Sequence, residues 1–383
     1  MKRKHLYVNS ISHFLVDFVC VASLFSFRDR SDPGQFVVAV TVYNIFAFLM
    51  QCLVGLLIDK THRLQMTAGI SCIISGAAAL LPLPLITKAV AVGVGNCFFH
   101  VSAGADTLRH SGGKAGSLGI FVAPGAFGVT LGRLYPETSA VFSMLLVAFG
   151  LLHFFASQTS DPKHAGAYQK PDFDKDPKPF PTHTVDRITL TGKPSIVGEA
   201  RFASRDDMST FTYAAAVLLT AAIAVRALGG TAVSFSWIAG SSDLIILTGA
   251  VFIGKVLGGF IYDKFAAVVS ACVSILPASF LIAFGAHSMP LSLVGQIAIN
   301  LTMPVTLYLL YKLMPETPGF AFGLAATALL PGTFLGQIVL LAEMPQYVQN
   351  LLILVTMLFG FVSILISDKI ICLTMTRTRR DSL

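Results

Sequence analysis

Charged residues are scarce in this sequence. Only 12% of its 383 residues are Asp, Glu, Lys or Arg, whereas 54% are hydrophobic, and the mean hydropathy is +0.74. A soluble globular domain carries about 25% charged and about 45–50% apolar residues. With half the usual charge, a water-soluble fold of this length could not cover its surface with polar groups. The composition excludes an ordinary soluble protein and indicates an integral membrane protein.

Cysteine is also sparse, and no two cysteines stand at the spacing of metal ligands. The six residues are Cys20, Cys52, Cys72, Cys97, Cys272 and Cys372. Because they are scattered through apolar runs, we interpret them as small buried fillers. We therefore expect no metal and no cofactor.

Two kinds of enzymatic machinery are missing. The sequence has no Gly-x-x-x-x-Gly-Lys-Ser/Thr loop, which excludes an ATPase engine of its own. No Ser, His and Asp combination falls in a segment that could form a soluble domain. We therefore expect that the chain is not an enzyme.

Long apolar blocks are present instead, many of them near the ~20 residues that a membrane-spanning helix needs. They predict an all-α membrane protein with twelve spans. The predicted spans are 6–27, 35–58, 65–85, 88–108, 115–134, 139–157, 211–232, 241–262, 266–286, 290–311, 319–341 and 347–371. The basic N-terminus followed by an apolar run resembles a signal peptide, but polar residues interrupt that run, so we interpret it as the first span.

The Lys and Arg residues are distributed unevenly between the two sides of these spans. If the N-terminus is cytoplasmic, the outer loops contain only Arg28, Arg30, Lys88 and Arg133 of the 27 basic residues. This asymmetry predicts that both termini lie in the cytoplasm. The net charge of +7 is then an orientation signal, and nucleic acid is not an expected partner.

The chain divides into two similar halves. "GLLIDK" at 55–60 returns as "GFIYDK" 204 residues later, and "APGAFG" at 123–128 returns as "LPGTFLG" 207 residues later. We predict six-helix bundles at 1–157 and 209–383, the second with a short basic cytoplasmic tail, related by a pseudo-twofold axis. A charged, proline-rich cytoplasmic loop at 158–208 joins them. In this architecture the substrate site lies at mid-membrane between the halves.

These motifs resemble the major facilitator superfamily. The loop residues Gly55, Asp59, Lys60 and Arg63, repeated as Gly259, Asp263 and Lys264, are similar to its Gly-x-x-x-Asp-Arg/Lys signature. The resemblance implies a cytoplasmic latch that breaks during transport, and a monomer. The fifth span is similar to the glycine-proline motif of exporters. The proline-glycine pairs Pro124–Gly125 and Pro331–Gly332 are predicted helix bends, because proline removes a helix hydrogen bond.

Three further segments resemble the fosmidomycin-resistance branch of that superfamily. They are 10–17, 95–116 and the arginine within 225–235, Arg226. The resemblance implies export of small drugs in exchange for protons. Val101 stands where that branch is expected to have a proline, so the substrate can differ.

Two ionisable residues in the first span are candidates for proton coupling. Asp17 lies about ten residues into the span, near mid-depth at 1.5 Å per residue. His13 is four residues earlier and shares its helix face. A charge at mid-membrane costs about 2.5–3.5 kcal/mol and so needs a reason. We predict Asp17 as proton carrier and His13 as relay; the alternative is a hydrogen-bonded pair that only holds the span.

The other candidates line the predicted cavity. At a repeat offset of 210 Arg226 lies about level with Asp17 and could face and neutralise it, whereas the offset of 204 would place Arg226 nearer the outer side. If the two pair, a proton on Asp17 would free Arg226, and an anionic substrate could do the reverse; static pairing or a snorkelled side chain is the alternative to this switch. Asn96 with His100, and Gln296 with Asn300, are i,i+4 pairs predicted to face the cavity, or else to bond between helices. We expect that Asp106 pairs locally with Arg109, and that Lys255 packs by the charge cluster at its helix end.

The sequence favours a secondary active transporter that exports a small organic solute by proton antiport. One alternative is an importer or uniporter of a small anionic metabolite. Another is a membrane sensor that does not transport but uses the same fold. We expect a multi-pass protein of the bacterial inner or plasma membrane whose partners are its solute, protons and lipid.

Overall fold

The computed structural model describes residues 3–61, 63–158, 205–338 and 344–381. These residues form helices and connecting turns. The N-terminal half contains α1 (Arg3–Phe25), α2 (Pro33–Asn44), α3 (Gln51–Thr61), α4 (Leu64–Leu80), α5 (Leu85–His110), α6 (Gly116–Val122), α7 (Pro124–Leu134) and α8 (Ser139–Gln158). The C-terminal half contains α9 (Arg205–Ala232), α10 (Ser241–Gly285), α11 (Met289–Asn300), α12 (Thr302–Leu313), α13 (Pro318–Ile338) and α14 (Gln346–Asp381).

Helix breaks account for the difference between fourteen helices and twelve predicted spans. A π-helical turn, Ile45–Leu49, joins α2 to α3 with a 41° bend. The second break, at Ala123 between α6 and α7, precedes Pro124, which has no N–H to continue the ladder. A third break, at Leu301, separates α11 from α12. The 45-residue α10 is split by Ala266, whose φ of 64° is non-helical.

The spans agree with the prediction once these breaks are considered. Nine described helical segments are long and apolar enough to cross a membrane, and the bent pair α2–α3 adds a tenth. The apolar α4 adds an eleventh, and the two arms of α10 on either side of Ala266 make twelve. This confirms the predicted fold class. The boundaries of the two bundles stay predictions, because most of the predicted loop at 158–208 lies outside the described residues.

Large apolar side chains cover the outside of the helix bundle. They are exposed on helices of both halves, for example Leu53, Leu57, Phe155, Tyr213, Phe280 and Leu358. A soluble monomer rarely exposes so much contiguous apolar surface. The exterior of the bundle is therefore suited to contact with lipid.

Several pairs of helices connect the halves, and two of these pairs make the most extensive contacts. α3 packs against α13, and α6 packs against α10. Within each half, α7 packs along α1 and α13 packs along α9. These contacts surround a cavity between the halves.

Candidate functional site

A cavity of about 290 Å³ lies between the two halves. Its N-terminal wall comes from α1, α2, α3, α5, α6, α7 and the turn between α2 and α3, and its C-terminal wall comes from α9, α10, α12 and α13. Spans 1, 4, 7 and 10 contribute as predicted, and spans 2, 5, 8 and 11 contribute as well. The charged or titratable side chains among its lining residues are His13, Asp17, Tyr43, His100, Arg133, Arg226 and Lys255.

α1 presents Asp17 and His13 to this cavity from one face. Their side chains are nearly buried, with 8% and 6% of their surface exposed. α7 approaches α1 closely here because Gly125 and Gly128 have no side chain. A Cβ on Gly125 would lie 2.8 Å from Cδ2 of His13, and one on Gly128 would lie 2.9 Å from Cβ of Asp17. The glycines of the fifth span therefore position the two candidate proton-binding residues.

Asp17, His13 and His100 form a compact group, which we call the triad. Nε2 of His13 lies 3.3 Å from Oδ2 of Asp17, and Nε2 of His100 lies 3.4 Å from Oδ1. The two Nε2 atoms are 2.9 Å apart. Asn96 donates from Nδ2 to Oδ1 of Asp17 over 3.1 Å. The structure thus brings together the candidates of spans 1 and 4. His100 lines the cavity as predicted, whereas Asn96 is buried behind Asp17 and, contrary to the prediction, is not a lining residue.

The three triad side chains also offer one metal-ligand atom each, and these atoms lie within 4.8 Å of one another. Two imidazoles and a carboxylate are a donor set that transition metals accept. Hydrogen bonds between the same atoms account for the spacing. The expectation of no metal stays a prediction.

The opposite wall carries two cations, Arg226 on α9 and Lys255 on α10. Nη1 of Arg226 is buried and has no hydrogen-bond partner among the described residues. The described part of the chain provides no ion pair for either cation. The predicted pairing of Asp17 with Arg226 is therefore not formed, because the oxygens of Asp17 already contact His13, His100 and Asn96.

Lys255 corrects a second expectation. It lines the cavity rather than packing by the charge cluster at its helix end. The helix of α10 places Lys255 on the cavity face two turns before Asp263. The position of Lys255 relative to Asp263 along the helix could not show this, because it does not reveal which neighbour the lysine side chain faces.

Gln296 and Asn300 are not among the residues that line the cavity, contrary to the prediction. Nδ2 of Asn300 donates to the backbone carbonyl of Gln296 over 2.9 Å. Asn300 faces α10: a Cβ added to Gly254 of α10 would lie 2.8 Å from the Cβ of Asn300. After the break at Leu301, Met303, Thr306 and Leu307 face the cavity instead.

Asp106 also has partners other than the predicted one. It accepts hydrogen bonds from Asn9 at 3.0 Å and Gln65 at 2.5 Å, and Nδ1 of His110 lies 3.2 Å away. Arg109 points elsewhere, 3.9 Å from Asp59. The carboxylate is 3% exposed and holds α1, α4 and α5 together within the N-terminal half. This cluster is separate from the cavity.

The predicted latch residues Asp59 and Asp263 join the halves in the same way. Asp59 accepts from the backbone N–H groups of Gly319 and Phe320, each over 2.8 Å. Asp263 accepts from those of Ala115 at 2.7 Å and Gly116 at 2.9 Å. Each carboxylate thus binds the N-terminus of a helix in the other half, where unpaired N–H groups and the helix dipole favour an anion.

The latch glycines allow this approach. A Cβ on Gly55 would lie 2.7 Å from the carbonyl carbon of Gly319, and one on Gly259 would lie 2.7 Å from that of Ala115. The basic residues Lys60, Arg63 and Lys264 are exposed, and Nζ of Lys264 stacks over Phe265. Because helices alternate in direction, both contacts lie at the end of the bundle that carries the chain termini. The halves are closed together at this end.

The two predicted bends differ. The helix is interrupted before Pro124, whereas α13 continues through Pro331. Gly332 lets α13 approach α9, since a Cβ there would lie 2.9 Å from Cβ of Ala227, the neighbour of Arg226. Gly125 and Gly332 therefore occupy matching places, each behind the charged residues of one wall.

Apolar residues that the sequence did not single out form much of the remaining lining. They include Val21, Phe48, Ile223, Phe322, Leu329, Leu330 and Phe334. Their type is the same as that of the lipid-facing residues, so no local pattern distinguishes them. Gln51 adds a buried Oε1 without a hydrogen-bond partner among the described residues.

The architecture matches solved transporters over nearly its whole length. A variant of the E. coli fucose:proton symporter FucP aligns with a TM-score of 0.60 at 11% identity, covering 96% of this chain and 98% of that one. FucP in the outward conformation aligns with a TM-score of 0.59 at 13% identity, covering 94% and 98%. The second is described as a major facilitator superfamily transporter. This chain has the major facilitator fold.

A human protein has the same fold. The organic anion transporter MFSD10 aligns with a TM-score of 0.60 at 13% identity, covering 96% of this chain and all of that one. No protein-family model and no curated protein sequence matches the chain. At these identities the likeness establishes the architecture, and the function has to be argued from the cavity.

Proposed function

We propose that the chain is a proton-coupled secondary active transporter of a small organic anion. A single observation carries this proposal. One cavity between the halves has a triad of titratable residues on its N-terminal wall, and on its C-terminal wall two cations that form no ion pair with any residue the structure describes. We place the protein in the plasma membrane with both termini in the cytoplasm, as the basic residues indicate.

The two cations support an anionic solute. Arg226 and Lys255 are partly buried in the cavity wall, and an unpaired charge within a membrane span is costly. A carboxylate, phosphonate or sulfonate between them would supply the missing partner, and an arginine can bind such a group with two parallel hydrogen bonds. A cationic solute would be repelled by the same wall.

The rest of the lining supports a small solute with an apolar part. The cavity volume of about 290 Å³ is at the lower end of the ~300–1,000 Å³ usual for ligand pockets. Aromatic and aliphatic side chains such as Phe48, Phe322 and Phe334 surround the charged groups. A compact acid with a short hydrocarbon body fits this combination.

The latch supports alternating access. The Asp59 and Asp263 carboxylates accept hydrogen bonds from backbone N–H groups of the other half at the end that carries the chain termini. Breaking both pairs would let that end open while the halves rock about the cavity. A ligand biases this equilibrium only by binding the two states with different affinity.

Electrostatics favours proton and anion binding together. A proton on the triad removes one negative charge from the wall that faces the solute. Two unit charges on the order of 10 Å apart interact by about 1–2 kcal/mol at an effective dielectric constant of about 20, roughly a tenfold change in affinity. The geometry therefore supports symport, the importer alternative, better than proton antiport.

Antiport remains a second candidate because of the fifth span. Its glycine-proline motif resembles that of exporters, and the structure breaks the helix at Pro124 within that motif. In an exporter, the anion would have to displace the proton from the triad. The two candidates differ in the sign of the linkage between proton and solute.

Transport by reconstituted protein tests the proposal. Vesicles would be offered a panel of radiolabelled carboxylates, phosphonates and sulfonates, with a proton gradient imposed in either direction. We expect accumulation on the alkaline side for at least one anion, lost in Asp17→Asn while solute exchange persists. Accumulation on the acidic side would support antiport, and gradient-driven transport that is unchanged in Asp17→Asn would reject the coupling site. If deletion of 165–195 removed a cellular response without affecting transport, the sensor alternative would gain support.

A further inference from the structure

The triad contains two histidines whose protonation can be worked out from their partners. Nδ1 of His13 lies 2.8 Å from the backbone carbonyl of Phe121. A carbonyl oxygen only accepts hydrogen bonds, so Nδ1 of His13 carries a proton. This carbonyl is available because Phe121 lies in the last turn of α6, where carbonyls have no partner within the helix. The break before Pro124 thereby fixes the tautomer of His13.

His100 is held in the same way. Its Nδ1 lies 2.9 Å from the backbone carbonyl of Asn96, one turn earlier on α5. A carbonyl has two lone pairs, so this oxygen can accept from His100 in addition to its helical partner. Nδ1 of His100 is therefore protonated as well.

The remaining ring nitrogens face each other. Nε2 of His13 and Nε2 of His100 are 2.9 Å apart, a hydrogen-bond distance. If both rings were neutral, with their protons on Nδ1, two lone pairs would point at each other without a proton between them. One proton between the Nε2 atoms turns this contact into a hydrogen bond and makes one of the two rings an imidazolium.

We infer that the histidine pair, His13 with His100, holds the coupled proton and that Asp17 is its ionised counter-ion. This inference rests on the proposed function, and it adds His100 to the proton-binding residues. It also reverses the role predicted for Asp17, from carrier to partner. The neutral sum of one imidazolium and one carboxylate fits a group that is buried on the cavity wall.

The surrounding groups limit the pair to one proton. Asp17 contacts both rings and stabilises the first positive charge. Across the cavity, Arg226 and Lys255 are positive, as is Arg133 on α7, and all three oppose a second proton. Asn96 is neutral and bonds to Asp17, while Gly125 places no side chain beside the rings.

Loss of that proton would also act on the structure. Two Nε2 lone pairs at this distance repel each other, so one ring has to turn away or the helices have to separate. His13 belongs to α1, and His100 belongs to α5. Deprotonation therefore acts directly on the packing of α1 against α5, which is one wall of the cavity.

Infrared difference spectroscopy on purified protein, with and without isotope-labelled histidine, tests the inference. The pH would be stepped in the presence of a chelator, so that no metal competes for the triad. We expect imidazolium bands from a buried histidine and no carbonyl stretch of a protonated carboxylic acid at Asp17. His100→Gln should remove the buried imidazolium signal, whereas His287→Gln, which removes an exposed histidine, should retain it. A protonated carboxylic acid band that Asp17→Asn abolishes would overturn the inference.

Transport separates this inference from the proposed function. We expect His100→Gln to lose gradient-driven accumulation of the anion while retaining solute exchange, which also shows that the variant is folded. If Asp17→Asn loses coupling but His100→Gln retains it, the inference fails and the proposed function stands. If Asp17→Asn, His13→Gln and His100→Gln all retain coupling, the proposed function fails as well.

Discussion

The two walls of the cavity satisfy their charges differently. On the N-terminal wall, Asp17 contacts His13, His100 and Asn96, so its charge is balanced within the protein. On the C-terminal wall, Arg226 and Lys255 have no such partner among the described residues, and one nitrogen of Arg226 makes no hydrogen bond. The triad, whose charges are paired within the protein, can exchange a proton without a bound solute. Arg226 and Lys255, which lack such a partner, need a solute anion to neutralise them. The walls therefore suit different ligands of the same cavity.

The largest effect is expected from neutralising the two cations of the C-terminal wall. Arg226→Gln should weaken anion transport by roughly 30–150-fold, the equivalent of about 2–3 kcal/mol for hydrogen bonds to a charged group. Combining it with Lys255→Gln should abolish measurable transport. Concentration-dependent uptake into vesicles provides the measurement. Arg133→Gln is the matched control, because Arg133 lines the same cavity but is exposed.

The contrast between the two walls would be rejected if Arg133→Gln weakened anion transport as much as Arg226→Gln. That result would mean that the net charge of the cavity, and not a specific anion position, determines affinity. Normal transport by the Arg226→Gln/Lys255→Gln double variant would reject the proposal that the solute is an anion.

The next largest effect is expected at the contact between α1 and α7, behind the triad of the N-terminal wall. Gly125→Ala places a Cβ against His13 and Asp17, so the triad has to shift. We expect proton-driven uptake to fall by about tenfold or more, since overpacking typically costs about 1–3 kcal/mol. Gly249→Ala is the matched control, because a Cβ on Gly249 meets nothing within 4 Å. Equal transport by the two variants would show that close packing of α7 is not needed for coupling.

A smaller shift is expected at the latch, where the two halves are alike. Asp59→Asn and Asp263→Asn each weaken two backbone hydrogen bonds, so each should favour opening at the terminal end by about 1–2 kcal/mol, or roughly tenfold. An impermeant thiol reagent added from that side would label Ala326→Cys, in a background without the six native cysteines. Labelling should rise similarly in both variants. A rise in only one of them would mean that the two contacts do not contribute equally.

The smallest effect is expected from residues that the structure removes from the cavity. Asn300→Ala should change transport by less than about threefold, because Asn300 bonds within its own helix and faces α10. Thr306→Ala, one of the lining residues, is the comparison and should change affinity more. A larger loss of affinity in Asn300→Ala than in Thr306→Ala, measured in the same uptake assay, would support the prediction from the sequence that Asn300 contacts the solute.

The sequence was sufficient to predict the spans and three ionisable lining residues of the N-terminal wall, His13, Asp17 and His100. Apolar blocks of spanning length are visible without any tertiary information, and charges at mid-span, such as Asp17, are rare enough to be noticed individually. The i,i+4 spacing of His13 with Asp17, and of Asn96 with His100, places each pair on one helix face. Nothing in the spacing shows that the two faces meet, which depends on the packing of α1 against α5 and α7.

Other features could not be predicted because they depend on breaks and backbone atoms. The break at Leu301 turns Asn300 away and brings Thr306 to the cavity. The partners of Asp59 and Asp263 are backbone N–H groups, which leave no side-chain signature in the sequence. Lys255 was assigned to the wrong cluster because its distance from Asp263 along the helix does not show which neighbour its side chain faces.

Binding of an anion of constant charge, as a function of pH, tests the central claim most directly. A sulfonate identified in the transport panel would be titrated into purified wild-type protein and into the His13→Gln/His100→Gln double variant. A proton on the N-terminal wall should strengthen anion binding at the C-terminal wall, so the wild-type affinity should rise about tenfold as the pH falls, while the double variant shows little dependence. An affinity that falls with pH, or a wild type that is as insensitive to pH as the double variant, would contradict the account.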